Sequence, residues 1–192
     1  MANKYSYQVL RDTTTDAVIK LTGTFDGSSQ EANNTRIQAN TLYGALDANS
    51  VPLRSKQSLS NTALSYYDLQ ITGVKGIVNF TTAGTGAVEI FWNGAGATAA
   101  AQYANSATIM HMNGNTDYGN GEQLPSIPNN SGNTTLGAGS VGNGDIGVYT
   151  SGSVANSAYT LIISMRKNNA MYQRGQFNDP AAFNYNPYNI TP

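Results

Sequence analysis

Cysteine is absent from the 192-residue sequence, so the fold has no disulfide, no thiolate metal ligand and no catalytic thiol. Charge is also scarce, because charged residues make up 11% of the chain against a usual share of about 25%, and the formal net charge is −1. Without a basic run, the chain has little with which to displace counterions from nucleic acid or to bind an acidic membrane surface. We therefore expect neither nucleic acid nor a membrane among its partners.

Catalytic signatures are missing as well. The single histidine, His111, has no G-x-S-x-G elbow or H-E-x-x-H motif beside it, and we interpret it as an ordinary strand residue. Asn113, Asn115 and Asp117 have the alternating spacing of a calcium loop, but Leu124 occupies the place of the bidentate glutamate. A run of turns explains these residues better. We expect a protein that is not an enzyme and needs no cofactor or metal.

No long hydrophobic run is present. The N-terminus becomes polar within its first few residues, unlike the apolar core of a secretory signal peptide, and no stretch approaches the roughly 20 apolar residues that a membrane-spanning helix needs. We therefore expect synthesis and folding in a cytoplasm.

The sequence does contain many short apolar segments separated by Gly, Asn, Ser and Thr, and this pattern predicts an all-β chain. The predicted strands are residues 5–10, 17–25, 35–43, 66–81, 87–92, 107–112, 145–151 and 158–167. About eight such strands suit an antiparallel β-sandwich or jelly roll.

Some strands also carry a burial prediction. Alternation in residues 17–25 predicts one buried face. Val88, Ile90 and Trp92 share one face of their strand, and Trp92 is expected in the core. The consecutive apolar residues 161–163 predict a central strand that is covered on both faces.

Two long polar stretches, residues 48–63 and 113–145, are predicted as loops. We divide the chain into a β-sandwich domain, residues 1–167, and an extended C-terminal arm, residues 168–192. The arm carries five aromatic residues without a regular period: Tyr172, Phe177, Phe183, Tyr185 and Tyr188.

The arm needs a surface on which to order. Ordering its backbone costs about 25 to 50 kcal/mol, whereas five buried aromatic side chains return only about 8 to 15 kcal/mol. We predict the five aromatic residues as partner-binding residues that contact a neighbouring subunit. The alternative is that the arm folds back over its own domain.

Two segments also resemble a known group of proteins. They are "VLRDTTTDAVIKLTGTFDGSSQEANNTRI", residues 9–37, and "AYTLIISMRKNNAMYQRGQFNDPAAFNY", residues 158–185. Both resemble virion structural proteins of tailed phages that infect marine bacteria such as cyanobacteria, a group that includes capsid decoration or cement proteins. The resemblance implies a β-sandwich or jelly-roll body, often trimeric, that is bound on an icosahedral shell and has no catalytic residues.

We therefore expect a capsid decoration protein on the virion surface, made in the host cytoplasm. Its expected partners are the major capsid protein and further copies of itself, as a homotrimer. The alternatives are a receptor- or glycan-binding β-sandwich module, or a neck or tail component, of the same virion.

Overall fold

The computed structural model of the chain describes residues 3–27, 29–31, 34–46, 67, 69–80, 86–94, 103–119, 127–128, 144–152, 154–167 and 172. Strands dominate these residues and form two antiparallel sheets, which confirms the all-β prediction. The strands in chain order are β1 (Lys4–Asp12), β2 (Asp16–Thr24), β3 (Asn34–Ile37), β4 (Leu69–Asn79), β5 (Ala87–Trp92), β6 (Ala107–Met112), β7 (Asn115–Tyr118), β8 (Ile127–Pro128), β9 (Ile146–Ser151) and β10 (Ala158–Lys167).

Within the described residues, the first sheet has six strands and the second has four. The first sheet has the order β1-β2-β10-β4-β7, with the short β8 also paired to β4, and the second has the order β3-β9-β5-β6. The chain passes from the second sheet to the first between β6 and β7, through a two-residue connection that contains Gly114. Gly114 has a φ of 123°, a left-handed backbone that favours glycine.

One hydrophobic core receives side chains from both sheets. Trp92 is 1% exposed and lies in this core with Val88 and Ile90, as the sequence predicts. The first sheet contributes Ile19, Leu21, Ile71, Val74, Leu161 and Ile163, and the second adds Ile146 and Val148. The alternation in β2 is also confirmed, because Ala17, Ile19 and Leu21 are buried while the residues between them are half-buried.

The central position predicted for residues 161–163 is confirmed, since β10 lies between β2 and β4. The expected cover on both faces was wrong. Leu161 and Ile163 are fully buried, but Ile162 on the opposite face is only half-buried. The second sheet contributes to the core on one face of β10, and the opposite face keeps partial contact with solvent.

Several strand boundaries differ from the prediction, and the strands predicted at residues 35–43 and 66–81 differ most. The strand predicted at residues 35–43 ends at Ile37, because a 3-10 turn at Ala39–Thr41 follows it. The strand predicted at residues 66–81 runs unbroken over Leu69–Asn79, and its irregularity is a register shift in the pairing with β10 near Gly73.

The predicted loop at residues 113–145 contains two strands, β7 and β8, which pair with β4. The rest of this loop, apart from a few residues at its two ends, lies outside the described residues. The predicted loop at residues 48–63 lies entirely outside them.

Candidate functional site

Tyr172 is the one described residue among the five predicted partner-binding aromatics. It is fully buried in its own chain. Its ring lies 5.6 Å from the ring of Tyr67, and its hydroxyl donates a 3.0 Å hydrogen bond to the Ala39 carbonyl. For this residue the alternative in which the arm packs on its own domain is favoured. Phe177, Phe183, Tyr185 and Tyr188 lie outside the described residues, and their role stays a prediction.

Lys167, at the end of β10, lies beside Tyr172 and has a fully buried side chain. Its Nζ donates to Asp12 Oδ1, to the Thr13 carbonyl at 2.6 Å and to the Tyr43 carbonyl at 2.7 Å. Burial lowers the pKa of the Lys167 amine, and the Asp12 carboxylate opposes that shift. Because an ammonium has three donors and each has an acceptor here, the group fastens the first and last described strands together.

Glu31 forms a second buried polar cluster between the sheets. It is 0% exposed and accepts hydrogen bonds from Arg36 Nε and, at 2.8 Å, from the Tyr159 hydroxyl. Its backbone N–H donates to Thr150 Oγ1 at 2.8 Å, and its carbonyl accepts from the Thr150 N–H at 2.9 Å. Burial raises the pKa of Glu31, while Arg36 and Tyr159 lower it. The buried carboxylate therefore joins Tyr159 on β10 of the first sheet to Arg36 on β3 of the second, and the Glu31 backbone adds the bonds to β9.

An exposed apolar surface lies along the outermost strand of the first sheet. We name it the β1 edge surface; it consists of Tyr7, Val9, Leu10 and Tyr43. These residues are 44%, 47%, 47% and 57% exposed. Tyr43 adjoins β1 because its N–H donates a 2.9 Å hydrogen bond to Asp12 Oδ2. Exposed apolar groups that adjoin one another on a protein with a well-formed core often mark an interaction site.

A second surface lies on the outer face of the second sheet. We name it the Glu89 surface; it consists of Glu89, Tyr103, Thr108, His111 and Tyr149. Glu89 accepts hydrogen bonds from the hydroxyls of Tyr103, at 2.9 Å, and Thr108, at 2.5 Å. The rings of Tyr103 and Tyr149 are stacked, with centroids 5.2 Å apart. Desolvation and the bond to Glu89 raise the pKa of Tyr103 to about 12.

His111 is exposed on β6, opposite Glu89 in the strand register. Its position in a strand agrees with the sequence interpretation. The surface therefore places an aromatic stack beside a half-buried carboxylate and an imidazole, which is chemistry for hydrogen bonding a polar ligand.

An open cleft of about 460 Å³ lies at one end of the first sheet, between the start of β1 and the turn before β10. Its lining includes Lys4, Asp26 and Asn156, and Asn156 has a φ of 68°. Asparagine is one of the few residues that adopts this conformation in turns, so the turn itself accounts for it.

The segment with calcium-loop spacing is an extended strand. Asn115 and Asp117 lie on β7, and Asp117 Oδ1 is 3.8 Å from Lys75 Nζ on β4. In the described part of the chain, no three His, Asp or Glu side chains are grouped closely enough to hold a metal ion.

The two buried ionic clusters were missed by the sequence reading. Glu31 and Arg36 show no periodic pattern, and Asp12 and Lys167 are 155 residues apart. The scarcity of charge could have indicated one of these clusters. Only 11% of the residues are charged, so a charged residue at the end of an apolar strand, such as Lys167, is a candidate for a buried ion pair. The β1 edge surface could not be predicted from the sequence, because the residue pattern of an edge strand is similar to that of a central strand.

No known protein-family model matches the sequence, and a comparison with curated proteins finds no significant match. Among the described residues, no helix has the length and apolar character needed to cross a membrane.

Proposed function

We propose that the protein is a non-enzymatic structural subunit of a virion, namely a capsid decoration protein that binds the shell and stabilises it. In this proposal the two sheets form a β-sandwich or jelly-roll body, and residues beyond Tyr172 form an arm that contacts a neighbour. The major capsid protein and further copies of the chain, as a homotrimer, are its partners. The site of action is the capsid surface, after synthesis in the host cytoplasm.

The observation that supports this function most strongly is the β1 edge surface. Tyr7 and Val9 are opposite the buried residues Leu21 and Ile19 of β2, so they point to the core side of the first sheet. They nevertheless remain 44% and 47% exposed. An assembly contact would bury them and recover the hydrophobic free energy, at about 25 cal/mol per Å² of apolar surface.

The buried charges support a non-enzymatic role. Among the described residues, Glu31 and Lys167 are the buried charged groups with shifted pKa values. Each is held by hydrogen bonds to neighbours in its own chain. The sequence resemblance to virion structural proteins agrees with such a role.

The test of the proposal is the position of the chain on purified virions. We expect hundreds of copies on the shell, counted by mass spectrometry and located by electron microscopy. Six or twelve copies near the tail would instead indicate a neck or tail component. Absence from the virion would contradict the proposal.

A matched pair of variants connects the test to the β1 edge surface. Val9→Ser should lower occupancy on shells that lack the protein about five- to tenfold, because burial of the valine contributes about 1 to 1.5 kcal/mol. Val154→Ser is the control, since Val154 is 38% exposed but precedes β10, away from the β1 edge surface. An equal loss of occupancy with both variants would show that shell binding does not depend on the β1 edge surface.

A second candidate function is glycan binding, and it depends on the Glu89 surface. Stacked tyrosines beside a carboxylate combine a platform for a sugar ring with an acceptor for its hydroxyls. Binding on a glycan array that is lost in Tyr149→Ala but retained in Tyr43→Ala would favour a receptor- or glycan-binding module.

A further inference from the structure

The outer edge of β1 is free of backbone partners in the part of the chain that the structure describes. β1 is the end strand of its sheet, and its described backbone hydrogen bonds over residues 4–11 go to β2 alone. In an antiparallel pair, alternate residues direct their N–H and C=O groups away from the partner strand. About half of the nine residues of β1 therefore present donors and acceptors along an open edge.

Proteins usually protect such an edge, and β1 has little protection. Natural sheets use proline, inward-pointing charges, bulges or very short strands to prevent pairing of open edges. Between Lys4 and Arg11, β1 contains no charge, no proline and no glycine. Its one irregularity is the register shift between Val9 and Arg11, so residues 4–9 keep a regular edge.

The side chains of β1 complement those of a second β1 in one orientation. In an antiparallel pair centred on Gln8, Tyr7 lies beside Val9 of the partner subunit on the core side of the sheet. Aromatic and β-branched residues directly opposite each other stabilise antiparallel strands. The two Gln8 side chains meet across the two-fold axis on the opposite face.

The charges select the same orientation. Antiparallel pairing about Gln8 keeps the two Lys4 side chains far apart, and likewise the two Arg11 side chains. A parallel pair in register would instead place Lys4 beside Lys4 of the partner subunit. It would also place Arg11 beside Arg11 of the partner subunit. Like charges directly opposite each other destabilise paired strands.

We propose that β1 pairs with β1 of a second copy of this chain, antiparallel about a two-fold axis at Gln8, so that the first sheet continues from one subunit into the next. This contact goes beyond the proposed virion role, because it concerns how two copies meet. If other surfaces hold the expected trimer together, β1 pairing joins one trimer to another.

The absence of cysteine in the chain allows a direct test by cross-linking. Gln8→Cys should form a disulfide-linked dimer of the purified protein under mild oxidation, because directly opposite strand residues have Cα atoms about 4.5 to 5.5 Å apart, within disulfide reach. Ser6→Cys is the matched control, since Ser6 is on the same strand, on the same face and also exposed. The two Ser6 positions would be about 14 Å apart across the axis, too far for a disulfide.

We expect the dimer with Gln8→Cys alone, measured on non-reducing gels. Equal cross-linking of both variants would indicate random collision and would overturn the proposal, as would no cross-linking of either or cross-linking of Ser6→Cys alone.

A charge pair tests the register without a covalent bond. In Tyr7→Glu with Val9→Glu, like charges meet across the axis, and dimerisation measured by sedimentation should be lost. In Tyr7→Glu with Val9→Lys, opposite charges meet, and the dimer should persist. A dimer that responds equally to both double variants would contradict this register, whatever the location of the protein on a virion.

Discussion

At the scale of single residues, burial decides what an ion pair contributes to this chain. Lys167 and Asp12 have side chains that are 0% and 16% exposed, whereas those of Lys75 and Asp117 are 56% and 45% exposed. Solvent screens the exposed pair, and such pairs contribute about 0 to 1 kcal/mol. Removal of one partner from a buried pair is costly, because the other partner keeps the loss of hydration without compensation.

Lys167→Met should therefore lower the free energy of unfolding by about 3 to 5 kcal/mol. Methionine keeps most of the side-chain volume, so the loss reports the ammonium and its three hydrogen bonds. The matched control, Lys75→Met, should change the unfolding free energy by less than about 1 kcal/mol. Urea unfolding of both variants measures the two values. Similar values for the two lysines would show that the Lys167 cluster does not fasten the strands.

At the scale of elements, the sequence predicted the strands that carry a regular apolar period. The alternation in β2 and the shared face of Val88, Ile90 and Trp92 were both correct, because one buried face imposes a period of two. The end of β3 was not predictable in the same way. Ala39 ends the strand through a 2.7 Å hydrogen bond from its N–H to the Asp145 side chain, a contact between residues 106 positions apart.

The candidate surfaces were less predictable than the strands. Tyr172, which the sequence predicts as a partner-binding residue, contacts Tyr67 and Ala39 of its own chain, and both are distant from it in sequence. The Glu89 surface joins three strands and Tyr103, so no short motif marks it. The aromatic residues of the C-terminal arm were singled out because they lack a regular period, and that feature does not distinguish core from surface.

Substitution of Gly23 on β2 tests the packing of β2 against Tyr159 of β10. Gly23 lies opposite Tyr159 of β10, and a Cβ at Gly23 would be 2.4 Å from Tyr159 Cε1. Gly23→Ala should therefore displace the Tyr159 ring from Glu31 and lower the unfolding free energy by about 1 to 3 kcal/mol, as for other overpacked cores. In a Tyr159→Ala background the same change should cost little, because the ring that it would meet is gone. Equal costs in both backgrounds would contradict this contact.

At the scale of the whole molecule, the two sheets are unequal, and this leaves β1 exposed. Over the described residues the first sheet has six strands and the second has four, and the core side of the outermost strand keeps Tyr7 and Val9 nearly half exposed. Self-association would bury the exposed side chains of Tyr7 and Val9. Tyr172 also lies close to this surface along the chain of contacts. It forms an isolated β-bridge with Ala45, and Ala45 is two residues from Tyr43 of the β1 edge surface.

Two truncations separate the part of the C-terminal segment that stabilises the chain from the part predicted to bind a partner. Deletion of residues 168–192 removes Tyr172, whose ring is fully buried, and should lower the unfolding free energy by about 3 to 5 kcal/mol. Tyr172→Ala in the full chain should reproduce most of that loss. Deletion of residues 173–192 keeps Tyr172 and removes Phe177, Phe183, Tyr185 and Tyr188.

If those four residues bind a neighbour, the shorter deletion should leave the unfolding free energy of the monomer nearly unchanged and reduce assembly. Urea unfolding at low protein concentration and sedimentation at high concentration measure the two effects on the same samples. A loss of monomer stability as large as that of the longer deletion, with normal assembly of the folded fraction, would mean that residues 173–192 serve their own domain. The contact between copies would then depend on the β1 edge surface alone, because it is the remaining apolar surface to which we assign a self-association role.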